Sequence, residues 1–428
     1  MTKKLRIAIA GLGTVGVGVI KMVTEHGALM AARTGHEIEI AAVSARSRDK
    51  DRGVALSAYD WHDDPVQMAA RDDIDIFVEL MGGSDGPAKA ATEAALKAGN
   101  DVVTANKAML ALYGNALAEL AEAEGRVLRF EAAVAGGIPV IKALTEGLAG
   151  NAMARVMGVM NGTCNYILTR MESAGLPYDE VFAEADALGF LEADPTLDVG
   201  GIDAGHKLAL LSSIAFGTRV DFDGVELEGI DRIGIADIRQ AADMGYKIKL
   251  LGVAQLTDRG LEQRMSPCLV PDTSPLGQLD GGTNMVVLEG SDVGQIVLRG
   301  AGAGEGPTAS AVLSDILDIA RGTRLSTFGQ PAETLMAAEP ARAVTPAPYY
   351  LRMQLLDRPG ALAKVAAILG DAGISIDRMR QYAHEDETAP VLIVTHETTR
   401  ADIDAALNGF TATDVVSGTP VVLRIEAV

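Results

Sequence analysis

The chain opens with Leu5-Arg-Ile-Ala-Ile-Ala10 and then breaks into Gly11-Leu-Gly13-Thr14-Val15-Gly16 before apolar residues resume at Val17. A short apolar run, glycines at G-x-G-x-x-G spacing and a second apolar run predict strand, turn and helix in that order. Gly11 permits the tight turn, Gly13 lets the backbone approach a pyrophosphate, and Gly16 lets the helix pack close to the strand. Thr14 and Val15 open the helix, whose N-terminal N–H groups and partial positive charge suit phosphate. A dinucleotide site is the expected use of this stretch. A glycine-rich turn without a ligand is the plainer alternative.

Outward from this turn, Ile38–Val43, Ile74–Leu80 and Asp101–Thr104 read as further strands. Ala88–Ala98 and a stretch from about Lys107 to Glu124 read as helices between and after them. Strands alternating with helices predict a parallel sheet covered on both faces, so residues 1–133 form one α/β unit of Rossmann type. NAD-preferring sites place an acidic residue at the end of the second strand. Here Val43 is followed by Ser44-Ala-Arg46, with Arg48, Lys50 and Arg52 close behind. Arg46 is suited to a 2′-phosphate, which favours NADP while leaving NAD open; a solvated loop charge is the alternative.

From residue 134 to 304 glycine-rich turns separate apolar segments, and one helix runs from about Gly201 to Phe216, so a second, mixed α/β domain is expected. The segment 305–336, with a helix over Thr308–Ile319, is expected to return to the first domain. Residues 337–348 hold three prolines and no periodicity, the composition of a linker. The last 80 residues, 349–428, repeat strand, helix, strand, strand, helix, strand. That βαββαβ order is the ferredoxin-like split unit.

A chain of 428 residues leaves room for about three domains. Its 37 Lys+Arg against 58 Asp+Glu give a net charge of −21, which repels phosphate backbones and anionic lipid. Nucleic-acid and membrane partners are therefore not expected. Cys164 and Cys268 are too few to staple such a chain, which fits a cytoplasmic location. The six histidines are scattered and offer no zinc-ligand spacing.

Three further stretches carry reactive groups. Asn161-Gly162-Thr163-Cys164-Asn165-Tyr166 sets small and polar residues between apolar flanks, as a pocket for a small polar molecule or as a helix N-cap. Cys164 has uncharged sequence neighbours and reads as a packed thiol. Glu192-Ala-Asp-Pro-Thr-Leu-Asp198-Val-Gly-Gly-Ile-Asp203-Ala-Gly-His-Lys207 is the densest polar run. Asp203 and Lys207, at i and i+4 on a helix, share a face. A lysine held beside a carboxylate can donate to a developing alkoxide, whereas an ordinary exposed ion pair contributes about 0–1 kcal/mol. Lys107 follows directly on a strand of the parallel sheet, as a site lysine or a first-turn surface residue.

Together these stretches, with Val78-Glu-Leu-Met-Gly-Gly83, Thr104-Ala-Asn-Lys-Ala108, Glu131-Ala-Ala-Val-Ala-Gly-Gly-Ile-Pro139 and Pro307-Thr-Ala-Ser-Ala-Val312, resemble the homoserine dehydrogenase family over essentially the whole chain. Leu191 departs from the small residue usual beside Glu192. The tail, with Asp357-Arg-Pro-Gly360, resembles an ACT domain. The resemblance implies reversible reduction of L-aspartate 4-semialdehyde to L-homoserine, in threonine and methionine biosynthesis. It implies that Lys207 is the proton donor, that Lys107 lies at the cofactor–substrate junction, and that Asp203 orients Lys207. Glu192 and Asp198 would hold the substrate ammonium, Gly162 and Thr163 would shape its pocket, and Gly304 would approach the cofactor. It further implies a monovalent cation, sodium, at Glu131, Val134, Gly136 and Ile138 through backbone oxygens. Residues 134–304 would be the catalytic and oligomerisation domain, two or four copies would assemble, and threonine would bind the tail near Gly360. The competing function is a catalytically silent amino-acid sensor on a dehydrogenase scaffold.

Overall fold

The computed structural model describes residues 3–191, 194–341, 345–382 and 387–428. Its first layer is a six-stranded sheet of β1 (Lys3–Ala10), β2 (His36–Ser44), β3 (Asp60–His62), β4 (Ile76–Glu79), β5 (Asp101–Thr104) and β6 (Leu128–Arg129). The order is β3-β2-β1-β4-β5-β6 and every pairing is parallel. All residues of β4 and β5 are buried, as expected for strands covered on both faces. The order reverses between β1 and β4, and ligands of open α/β sheets bind outside the strand ends at such a switch point.

The helix Thr14–Thr34 continues well past Val23, where the apolar run ends. It is long and apolar enough to span a membrane by length and composition alone, yet Gly16–Ile20 are buried in the core. Against it packs the returning helix Glu305–Ala320. A Cβ on Gly18 would lie 2.8 Å from Glu305 Cγ, and Lys21 Nζ pairs with Glu305 at 2.8 Å. Ile7, Ile9, Val19, Ile20, Ala309, Val312 and Ile316 share one hydrophobic cluster.

The second layer is a ten-stranded sheet: β7 (Met153–Val159), β8 (Glu226–Leu227), β9 (Tyr246–Thr257), β10 (Gly260–Pro271), β11 (Thr283–Gly290), β12 (Gly294–Ala301), β13 (Tyr349–Leu356), β14 (Ile376–Gln381), β15 (Thr388–Thr395) and β16 (Val416–Ile425). Its order is β12-β11-β7-β9-β10-β16-β13-β15-β14, with β8 also on β10. The long hairpin β9–β10 is its spine, and the helix Ile202–Phe216 packs on both strands. The tail forms the split unit, with helices Ala361–Asp371 and Arg400–Thr411.

The tail's strands do not form a sheet of their own. β16 pairs in parallel with β10 at Cys268↔Arg424 and Leu269↔Ile425, so the tail's sheet continues the central one. Nor does the proline-rich connection hang free. Leu261 N donates to Glu339 O at 2.8 Å, Ala341 N returns a bond to Leu261 O at 2.9 Å, and Thr345 Oγ1 donates to Glu262 at 2.7 Å. Proline removes its own donor only, so the residues flanking Pro340 can still bond to the strand edge.

Candidate functional site

A cleft of about 710 Å³ runs between the two layers. Thr14, Val15 and Gly304 line one end, Lys107, Asp203 and Lys207 its floor, and Asn161, Gly162, Thr163 and Asp198 the other side. At the nucleotide end Gly11 has φ +103°, and a Cβ there would lie 2.2 Å from Leu80 O. A Cβ on Gly16 would lie 2.0 Å from Gly11 O, so turn and helix are in direct contact. Gly13, the helix N-cap, is different: the space beside its Cα is open. An open cradle at a helix N-terminus fits a dinucleotide pyrophosphate. Gly304, φ +119°, caps the returning helix on the facing wall.

The floor is made by two helix starts. Asn106 caps Lys107–Ala123 by accepting from Met109 N, which fixes Lys107 at the first turn. Asp203 sits in the first turn of Ile202–Phe216, with Lys207 one turn on. Lys207 Nζ donates to Asp203 Oδ2 at 2.6 Å and to Met160 O at 2.8 Å. Lys107 Nζ pairs with Asp203 Oδ1 at 2.9 Å. One carboxylate thus bridges two ammonium groups, an oxygen to each. Burial alone would lift the Asp203 carboxyl; the charges of Lys207 and Lys107 outweigh it and hold the group well below the usual carboxylate range. Lys207 is almost buried, so this is not the exposed pair of the plainer reading.

On the opposite wall Asn161 does two jobs at once. Its Oδ1 accepts from Cys164 N, capping Gly162–Ala174, and its Nδ2 donates to buried Asp198 Oδ1 at 3.0 Å. The capping and pocket readings of this residue are therefore compatible. Gly162 lies so close to the next loop that a Cβ would sit 2.6 Å from Gly282 O. Thr163 Oγ1 donates to Phe190 O at 2.9 Å. Cys164 is buried, its Sγ reaches Asp198 O, and burial pushes its thiol well up, as a packed thiol requires. Glu192 lies outside the described residues.

Arg46 is exposed just beyond β2. Its neighbours are occupied: Arg52 Nε donates to Leu12 O at 3.1 Å, and Arg48 and Arg52 both lie 5.9 Å from the Trp61 ring centroid. In the loop at Glu131–Ile138, Ala135 is the one non-glycine with positive φ among the described residues, and Gly136 follows with φ +56°. The Glu131 side chain accepts from Ile141 N and Lys142 N. Burial, reinforced by nearby Asp315, raises its carboxyl to about 7. With those oxygens engaged, a cation at this loop fits backbone carbonyls better than the carboxylate.

Sequence reading passed over several lining groups. The Met160 carbonyl is backbone and leaves no residue-type signal. Phe190 and Gly282 line the cleft from loops and Asn284 from the start of β11, at positions set by the fold. Only Asn284, a buried polar residue beside Gly281-Gly282, offered a local hint.

A glycine turn open to a pyrophosphate, facing a lysine-bridged carboxylate across one cleft at a sheet switch point, defines a nicotinamide-dependent oxidoreductase. Comparison with known proteins narrows the class. Residues 11–131 match the NAD-binding domain of homoserine dehydrogenase, residues 139–317 match homoserine dehydrogenase, and residues 349–408 match the ACT domain. A homoserine dehydrogenase of Neisseria gonorrhoeae is 42% identical over 99% of each chain, and that of Pseudomonas aeruginosa 41% identical over the same shares. The crystal structure of a homoserine dehydrogenase from Thiobacillus denitrificans superposes with a TM-score of 0.93, at 39% identity, covering 99% of this chain and 98% of that one. A hyperthermophilic archaeal homoserine dehydrogenase mutant in complex with NADPH aligns at TM-score 0.64 and 28% identity, over 74% of this chain and 97% of that one. The chain belongs to the homoserine dehydrogenase family and ends in an ACT domain.

Proposed function

We propose that the protein reduces L-aspartate 4-semialdehyde reversibly to L-homoserine with NADPH, serving threonine and methionine biosynthesis in the cytoplasm, and that threonine restrains it through the ACT domain. The observation that carries this reading is the Lys107–Asp203–Lys207 bridge on the cleft floor. A bound nicotinamide supplies the hydride. Lys207 holds its proton at Nζ, buried between Asp203 and the Met160 carbonyl, beside the place where negative charge grows on the carbonyl oxygen. An ammonium fixed there stabilises the transition state more than the neutral aldehyde, which is the condition for acceleration. Lys107 polarises the same oxygen at the cofactor junction, and Asp203 keeps both lysines aimed. Asp198 and Glu192 receive the substrate ammonium, while Gly162 and Thr163 bound its side chain. Gly11, Gly13, Thr14, Val15, Gly16 and Gly304 hold the dinucleotide, and Arg46 pairs with its 2′-phosphate.

A sodium ion at the backbone oxygens of Glu131, Val134, Gly136 and Ile138 would hold the loop beside the cleft; the paired left-handed turn at Ala135 and Gly136 supports it. Two or four copies assemble, for which the open edge of β12, with Val297 exposed, is the supporting feature. The decisive experiment is steady-state oxidation of NADPH and NADH by aspartate semialdehyde, with and without threonine, in the wild type and Lys207→Ala. The reading expects NADPH to be preferred, threonine to inhibit, and Lys207→Ala to lose turnover while still binding NADPH. Wild-type-like turnover in that variant overturns it.

A further inference from the structure

Lys249 is the fourth of the twelve residues of β9, between Ile248 and Leu250, and only 2% of its surface is exposed. Burying an ammonium costs more than burying an alkyl chain of the same size, so a position that needed only filling would carry Leu or Met. Its acceptors are both neutral. Lys249 Nζ donates to Asn165 Oδ1 at 3.1 Å and to the carbonyl of Leu279. Asn165 belongs to the same first turns of Gly162–Ala174 that carry Gly162 and Thr163 into the cleft, and it too is buried. Its Nδ2 donates to Leu279 O at 3.2 Å and to Gly281 O at 2.7 Å. Lys249 and Asn165 thus hold one loop together, sharing the Leu279 carbonyl as acceptor.

That loop ends in the wall of the cleft. Gly282 and Asn284 line it, with Gly282 O pressed against Gly162. Lys247, two residues before Lys249 and so on the same face of β9, reaches the loop from outside: its Nζ lies 3.4 Å from Asp280 Oδ1 and 3.4 Å from Glu172 Oε2. Burial lowers the Lys249 ammonium to about 8, against the opposing pull of Asp280 and Glu172. The chain retains this costly group where it ties three segments together: β9, the helix start at Asn161–Asn165, and the loop at Leu279–Gly282.

We infer that Lys249 is a positioning residue for substrate: with Asn165 it fixes the loop at Leu279–Gly282 against Gly162 and so sets the width of the cleft at the amino-acid end. This rests on the reading above, in which Gly162 and Thr163 bound the substrate. Misplacing a binding wall weakens binding of the ligand it touches and leaves groups elsewhere in register.

The test is steady-state kinetics of the full-length chain with aspartate semialdehyde and NADPH. Lys249→Met is expected to raise KM for the semialdehyde about tenfold, with kcat and KM for NADPH within about twofold of wild type. Lys249→Gln, which keeps a donor, should recover part of that loss. Unchanged semialdehyde KM in Lys249→Met, or a parallel rise in NADPH KM, overturns the proposal. Should neither variant fold, Lys247→Met loosens the same loop from its exposed side and is expected to raise semialdehyde KM about two- to threefold; an unchanged KM there overturns it equally. Lys207→Ala assayed alongside separates the failures. If that variant is dead while Lys249→Met is normal, the positioning role fails alone; if it is active, the reading of the cleft fails first.

Discussion

Arg352 grips Asp237 with two parallel bonds, Nε to Oδ1 at 2.5 Å and Nη2 to Oδ2 at 2.9 Å, across the junction between the ACT domain and the catalytic layer. Asp237 is fully buried, lies in the helix Ile235–Asp243, and accepts a further bond from the Tyr350 hydroxyl at 3.0 Å. That helix packs on Gly162–Ala174, whose first turn forms the cleft wall. Removing one partner of a buried pair strands the other, at a cost of about 3–5 kcal/mol. Arg352→Met should therefore lower the unfolding free energy by that much in a denaturant titration. It should also blunt the proposed inhibition by threonine in a rate assay, since the contact joins the tail to the helix behind the cleft. A variant as stable and as threonine-sensitive as wild type would show that the contact is idle.

The two-lysine bridge makes a prediction about pH. Asp203 has a folded-state value below its ordinary 3.8, so its contribution to stability is present above that value and is lost as pH falls through the window beneath it. Any fall in rate between about pH 5 and 7 consequently arises from other groups. Asp203→Asn should reduce kcat by roughly 10²-fold, the scale for losing an orienting group, while preserving the shape of that acid limb. If the acid limb vanished with the substitution, Asp203 would be titrating there and the bridged arrangement would be wrong.

Glycines eleven and thirteen separate folding from binding. Gly11 sits at φ +103° with Leu80 O in the place of a side chain, so Gly11→Ala should cost about 1–3 kcal/mol of stability through backbone strain, with steric displacement added. Gly13→Ala meets open space and an ordinary φ of −81°, so thermal denaturation should be almost unchanged. Fluorescence titration with NADPH should show markedly weaker binding, because the methyl group occupies the cradle. Equal melting losses in the two variants would refute the assignment of the cradle to Gly13.

The proposed preference for NADPH rests on Arg46, the exposed residue just beyond β2. Arg46→Ala is expected to raise KM for NADPH about tenfold, the effect of about 1.4 kcal/mol, with KM for NADH nearly unchanged. A uniform change for both cofactors would assign Arg46 to general loop charge.

Much of the frame was legible because it rests on short-range pattern. Asp101–Thr104 is a strand with the bounds its apolar run gives, and the tail's strand–helix order is visible in its turns. The Asp203–Lys207 pairing follows from helical spacing. What stayed hidden joins residues far apart in the chain. Nothing near Lys107 says that its partner is Asp203, and nothing in the proline-rich segment says that Glu339 and Ala341 will bond to Leu261. The contact of β16 with β10 involves two residue pairs, too few to leave a periodic trace. The helix Thr14–Thr34 outran its apolar stretch because its later turns are half-exposed and stabilised by continuity rather than burial.

The pairing of β16 with β10 bears on how the tail can be studied at all. Buried Arg264 on β10 pairs at 2.5 Å with the carboxylate of Glu426, two residues before Val428. A chain shortened at the proline-rich segment would leave that guanidinium with only the longer contact to Glu262, at 3.6 Å, and bare a length of strand edge able to capture a neighbouring molecule. Loss of the proposed threonine response in such a truncation would be indistinguishable from collapse or clumping of the stump. In this architecture the ACT domain is woven into the fabric of the catalyst, so its contribution can be read only by changing single threads.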